Sequence, residues 1–324
     1  MATLRTVTVK SSGGDYTSLS AAEAGEQGNL VSLDRQLGIE CYSMSDTTAA
    51  TISGSTTDAT RYIEIYTPVG ERHDGKWNTS KYRLEPTDTT YGLRIEDEYV
   101  RVRGLQIQIQ SPTAARIEVS YGFVSDTSDN YFEQCIVRGS GANSAGIGAG
   151  SSTSGNLKIS NCIIYDCTTS FAGGIRYNAT NCTLYVYNTT LVGCYYGVRR
   201  SGGTVIVKNT LSKATASTRD FVLDSGSWGA GSNYNSAAGT TSTGGANDRT
   251  SQTFTFADET NKDFHLASTD AGARDYGVDL SGDAYPVTVD IDGVTRSGSW
   301  DIGADEYVAG GGPTGNPWYY YAQQ

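Results

Sequence analysis

An all-β solenoid, a stack of short parallel strands in the form of a parallel β-helix, is the fold this sequence predicts. Three observations lead there. A short phrase recurs along the middle of the chain, residues within each copy alternate as in a strand, and no long stretch there carries an apolar stripe of helical period.

The phrase runs: a β-branched or aromatic residue, a polar residue, then Asn, Gln or Gly, then Cys, Thr or Leu. It occurs as Val102-Arg103-Gly104-Leu105, Phe132-Glu133-Gln134-Cys135, Ile159-Ser160-Asn161-Cys162, Val186-Tyr187-Asn188-Thr189 and Val207-Lys208-Asn209-Thr210. Its third positions, 104, 134, 161, 188 and 209, lie 30, 27, 27 and 21 residues apart. Recurrence at roughly 20–50 residues marks stacked units that are each too thin to bury an apolar face alone. Stacking sets like residue over like residue at the strand spacing of about 4.8 Å. A structural ladder is therefore expected at Gly104, Gln134, Asn161, Asn188 and Asn209, with Cys135 and Cys162 beside it. The uneven steps fit, because inserted turn residues bulge outward.

In chain order, TVTVK (Thr6 to Lys10) alternates as a strand and Gly13 to Asp15 is a turn. YTSLSAAEAGEQG then reads as one short helix, with Thr17 or Ser18 able to cap it. LGIECYS (Leu37 to Ser43) returns to strand. Residues 1–45 are expected to plug the open end of the stack, which otherwise exposes its core and unpaired strand edges. Coils are expected over 46–235, with strands at YIEIYTP (Tyr62 to Pro68) and YVRVRGLQIQIQ (Tyr99 to Gln110). Residues 236–308 supply the last coils and a C-terminal cap, and 309–324 a Gly/Pro linker ending in WYYYAQQ. The aromatics Trp318, Tyr319, Tyr320 and Tyr321 either fold back on the rod or form a docking tail for another subunit or particle.

The two end pieces carry a resemblance. GGDYTSLSAAEAG resembles the opening of the right-handed parallel β-helix superfamily, which includes pectate lyases, pectin esterases and phage tailspikes. KDFHLASTDAGARDYGVDL and DIDGVTRSGSWDIGADEY are similar to the closing segment of many bacterial and phage β-helix proteins, with their D-[FY]-H-L, D-x-G and D-I-G-A-x-E-[FY] phrases. The right-handed twist of the solenoid and a closing role for the C-terminal phrases are what this resemblance implies. It says much about fold and little about activity.

Composition narrows the function classes. Net charge is −11 and charged residues make up 18% of 324, so neither nucleic acid nor membrane insertion is expected. No apolar run reaches the ~18 residues of a membrane span. MATLRTVTVKSSGGDYTSL holds no apolar signal-peptide core, so a chain that works without a leader, or has lost one, is expected. Six cysteines, with no CxxC pair, and two histidines make a zinc site improbable; the cysteines read as an interior ladder, or as a disulfide between neighbouring coils.

A catalytic set is not legible. Glu96 and Glu98 face the opposite side from Asp97 in a strand, and the phrases of pectin esterases and polygalacturonases are missing. Asp126 or Asp129 against Asp166, and Arg199 with Arg200, are the remaining clusters, and solvated turn residues explain them. Asp290 and Asp292 in DIDG start like a calcium loop, but Arg296 falls among the ligand positions and no Glu stands at the twelfth, so a tight turn is expected. Glycosylation sequons at Asn178, Asn181 and Asn188 fall on repeat turns. No catalytic residue, metal or cofactor is expected.

The function expected on these grounds is that of a non-enzymatic virion structural or attachment protein: a phage capsid decoration, head fibre or tail spike on the virion surface or outside the cell. Its partners would be further copies of itself (trimers, by family analogy), other virion proteins through the tail, and a cell-surface glycan. The alternatives are a polysaccharide depolymerase, lyase or hydrolase, with Tyr185, Tyr187, Tyr195 and Tyr196 as stacking faces, and a self-assembling extracellular fibre or adhesin subunit.

Overall fold

The computed structural model describes residues 2–87, 91–109, 116–119, 129–140, 145–149, 154–168, 170, 173–179 and 181–309. Three sheets of parallel strands, with 8, 8 and 7 strands, make up most of its regular secondary structure. From Arg35–Cys41 onward the chain visits a first, a second and a third sheet in fixed rotation, and the seven strands of the third sheet close seven rounds. Each strand pairs in parallel with its counterpart one round earlier and one round later. This arrangement is compatible with a parallel β-helix. Inward positions carry Val, Ile and Leu, such as Leu184 and Val186, in one continuous buried core.

The recurring phrase is the corner between the first and second sheets. First-sheet partners Arg103, Glu133, Ser160, Tyr187 and Lys208 lie in register, and so do second-sheet partners Gln106, Ile136, Ile163, Thr190 and Leu211. Two residues join the sheets in each of these five coils, so 104, 134, 161, 188 and 209 stack in one column and Leu105, Cys135, Cys162, Thr189 and Thr210 in the next. Every member of the first column has left-handed backbone, with φ of 69°, 53°, 49°, 44° and 49°. Gly and Asn visit that region at least cost, which is why they recur there. The column extends the ladder: the N–H groups of Gly104, Gln134, Asn161 and Asn188 donate to the carbonyls of Glu133, Ser160, Tyr187 and Lys208 at 3.0–3.2 Å. In the second column Cys135, Cys162, Thr189 and Thr210 each donate from Sγ or Oγ to the carbonyl two residues earlier. All six cysteines are buried free thiols.

At the N-terminal end, Thr3–Val9 pairs with Arg35–Cys41 as the end strand of the first sheet, so both strands join the stack directly. Ser18 caps the helix Leu19–Glu26, its Oγ accepting from the Ala21 N–H at 3.1 Å. The helix buries Leu19 and Ala22 in the common core, and its Leu19 N–H donates to Asp46 of the second sheet at 2.7 Å.

The C-terminal segment, expected as a cap, packs along the flank of the stack. An antiparallel hairpin, Phe256–Asp258 with Asp263–Leu266, begins it. Phe256, Phe264, Leu266, Ile291 and Ile302 cover Ile136, Ile163, Tyr165 and Val192 on the outside of the second sheet. The corner column holds it. The Asn209 amide donates to the Val278 carbonyl at 2.7 Å and accepts from the Val278 N–H at 3.0 Å, while the Asn209 carbonyl accepts from the Gly303 N–H at 2.8 Å. Gln134 donates to the Asp290 carbonyl at 2.7 Å, and the Ala304 N–H donates to Thr190 Oγ1 at 2.9 Å. Arg296 is fully buried against Glu306 at 3.0 Å and donates to the carbonyls of Gly303 and Ala304. A second-sheet strand apolar on both faces needs such a cover. No described helix is long and apolar enough to cross a membrane.

Candidate functional site

The outward residues of the first sheet form two rows. One runs Glu64, Arg101, Tyr131, Lys158, Tyr185, Ile206; the other runs Tyr66, Arg103, Glu133, Ser160, Tyr187, Lys208. Leu184 and Val186 take the inward places of LYVYN, so Tyr185 and Tyr187 both point out. Against these rows the C-terminal segment lays Tyr285, Pro286 and Val287, and the wall so made frames a surface cavity of about 230 Å³.

Cations and rings alternate around this cavity. Lys158 Nζ sits 3.3 Å from the ring centre of Tyr285 and 4.1 Å from that of Tyr131, and it pairs with Asp129 at 2.9 Å. Its side chain is 4% exposed, and burial, only partly offset by Asp129, lowers its pKa to about 8. Burial beside Asp129 likewise raises Tyr131 to about 12. Tyr187 donates to Asp283 at 2.9 Å, and its pKa rises through burial and that bond. Tyr185 stands edge-on to Tyr285 with centroids 4.4 Å apart. Arg101 lies 3.6 Å over the Tyr62 ring and makes no ion pair among the described residues. Arg103, by contrast, is held by Glu133 at 2.9 Å and Glu64 at 3.0 Å. One guanidinium is thus left for an anionic ligand, beside several ring faces.

A second cavity, of about 290 Å³, lies where the C-terminal segment meets the loop after the second coil's first strand. Its lining includes Asp74, Lys76, Asp263, His265, Asp290, Asp292, Asp305 and Glu306. Burial pushes Asp290 and Glu306 up to about 7 and Asp305 to about 6. Burial opposes charging of His265, but its bonds to Asp263 and Asp292 outweigh that and hold it near 11.

The clusters weighed from sequence do not converge. Glu96 pairs with Arg94 at 2.7 Å, while buried Asp97 accepts from the Ser55 N–H at 3.0 Å. Asp129 goes to Lys158 and Asp166 to Lys262 at 2.8 Å; Asp126 lies outside the described residues. Arg199 pairs with Asp224 at 3.0 Å, and Arg200 donates to the Gly203 carbonyl at 2.9 Å. Tyr195 and Tyr196 meet each other at 4.8 Å, and neither lines the first-sheet cavity. Trp318, Tyr319, Tyr320 and Tyr321 lie outside the described residues. DIDG does make a tight turn, Asp290 Oδ1 accepting from the N–H groups of Asp292 at 2.9 Å and Val294 at 2.8 Å. Sequence reasoning missed Lys158 and Tyr285, which meet across more than 100 residues of chain. Only the outward parity of the first-sheet strands pointed to Lys158.

Comparison with protein-family models and with curated proteins finds no match.

Proposed function

We propose that this chain is a non-enzymatic attachment protein of a virion, a solenoid whose first sheet grips an acidic saccharide chain. One observation carries the reading: the cavity framed by Arg101, Tyr131, Lys158, Tyr185 and Tyr285, in which cationic groups stand among aromatic faces. Ring faces stack on the apolar side of a pyranose, and a guanidinium holds a uronate or sulfate in a charge-assisted bond. At about 230 Å³ the cavity falls below the ~300–1,000 Å³ of drug-sized pockets, so it suits one sugar unit of a longer chain lying along the sheet. The resemblance of the end pieces supports a right-handed β-helix and, by analogy, a trimer on a phage particle. The aromatic tail is the anchor in this reading, and removing residues 309–324 should then release the chain from particles.

Calorimetric titration with a polyuronate and with a neutral glucan tests the binding claim. The polyuronate should bind, weaken with salt, and lose at least tenfold in Arg101→Ala and Lys158→Met. Equal affinity for both polymers, or none for either, would count against it. A second reading, a polysaccharide lyase, is favoured by the lowered pKa of Lys158, which suits it to take a proton beside a carboxylate. Unsaturated products released from the polyuronate would establish that reading instead.

A further inference from the structure

We infer that the second cavity is a divalent-cation site, held by His265, Asp292 and Asp305, that ties three parts of the C-terminal segment together. One ligand atom from each of these residues lies within 4.8 Å of the other two; without a cation the His265 Nε2–H donates to Asp292 Oδ2 at 2.9 Å, and a bound cation would displace that proton. The cluster is more than a collection of acids. The Asp292 side chain is 6% exposed, and its buried Oδ1 has no hydrogen-bond partner among the described residues. Asp74 Oδ1, in the same cavity, is likewise buried without a partner. Leaving a buried carboxylate oxygen unbonded is costly unless a cation reaches it.

The local backbone leaves the room. Gly75, at φ +70°, bears no side chain where a Cβ would stand 2.2 Å from His265 Nε2 and 2.8 Å from Asp292 Oδ1, so any side chain there would fill the space beside both atoms. Asp305 is already oriented, its Oδ2 accepting from the Leu266 N–H at 2.7 Å, and Asp263 bonds the other ring nitrogen of His265. An imidazole oriented by a carboxylate is a usual metal-ligand arrangement. One nitrogen with two carboxylates favours Zn²⁺ or Mn²⁺ over Ca²⁺, which prefers oxygens alone. The three residues come from the hairpin, the DIDG turn and the DIGADEY phrase, so one ion ties all three to each other.

The test uses the full chain stripped with a chelator and titrated separately with Zn²⁺, Mn²⁺ and Ca²⁺. Calorimetry should give one Zn²⁺ or Mn²⁺ per chain at micromolar or tighter affinity, with a higher melting temperature. Zn²⁺ should also shift the imidazole NMR signals of His265, one of only two histidines. Asp292→Asn should weaken binding at least tenfold; if that variant misfolds, the wild-type titration and NMR shift decide. The inference is overturned by no binding below millimolar, by a bound cation that leaves the His265 signals unmoved, or by unchanged affinity in a folded Asp292→Asn.

Discussion

Replacing Asn209 with Ala removes a two-bond tie between the corner column and the C-terminal segment. Two hydrogen bonds to Val278 disappear, at 2.7 and 3.0 Å, each worth a net ~0.5–1.5 kcal/mol. Ala also pays about 1 kcal/mol to hold the φ of 49° that Asn tolerates. Asn209→Ala should therefore lose about 3 kcal/mol, read from the urea midpoint at unchanged slope. Asn209→Gly loses the same bonds without the backbone strain, so it should cost about 1 kcal/mol less. Hydrogen exchange at the Val278 amide should speed up at least tenfold in both. Should Ala cost under ~0.5 kcal/mol, the clamp is not a stabilising contact. Should Ala and Gly cost the same, the column does not need a left-handed residue.

Two further outcomes follow from packing and charge. In Gly197→Ala the new Cβ would stand 2.2 Å from Ser212 Oγ and 2.3 Å from the Asp220 carbonyl, whose backbone cannot yield; a loss of about 3 kcal/mol or more in urea unfolding is expected. Gly282→Ala, with nothing within 4 Å, is the control and should stay within about 0.5 kcal/mol. Lys158 has a folded pKa near 8, below its ordinary 10.5, so between those values the unfolded chain binds more protons. Its contribution to stability is thus least favourable below pH 8 and improves as pH rises to about 10.5. After discounting for screening at the cavity mouth, Lys158→Met should gain on the order of 1 kcal/mol at pH 7 and flatten that rise in thermal unfolding.

The coil stack was legible because its corner has a chemical signature. A left-handed residue, mostly Asn, followed by one that bonds back two positions is a local requirement, written again in successive rounds at Asn161-Cys162, Asn188-Thr189 and Asn209-Thr210. The apolar pairs after two of the corners, Ile136-Val137 and Ile163-Ile164, held a second message. In Ile163-Ile164 one side chain enters the core and the other faces out, so the second sheet had to be covered on its outside. What would cover it was not written locally, since DIGADEY packs the same way in sequence terms whether it crosses an end or lies along a flank. The two cavities were hidden for the same reason. Lys158 meets Tyr285, and His265 meets Asp292 and Asp305, only because the returning segment brings separate stretches together.

Spin labels on the third sheet measure the stack itself. Thr51, Arg94, Glu118, Gly148, Arg176, Arg199 and Val222 are successive partners, six steps from end to end. With the native thiols buried, labels at Thr51→Cys and Val222→Cys should report backbone positions about 29 Å apart by dipolar electron resonance. Thr51→Cys with Arg176→Cys, four steps, should give about 19 Å. Distances that grow by one strand spacing per coil are the expected result; a separation above ~40 Å for the first pair, or no difference between the pairs, contradicts the stack.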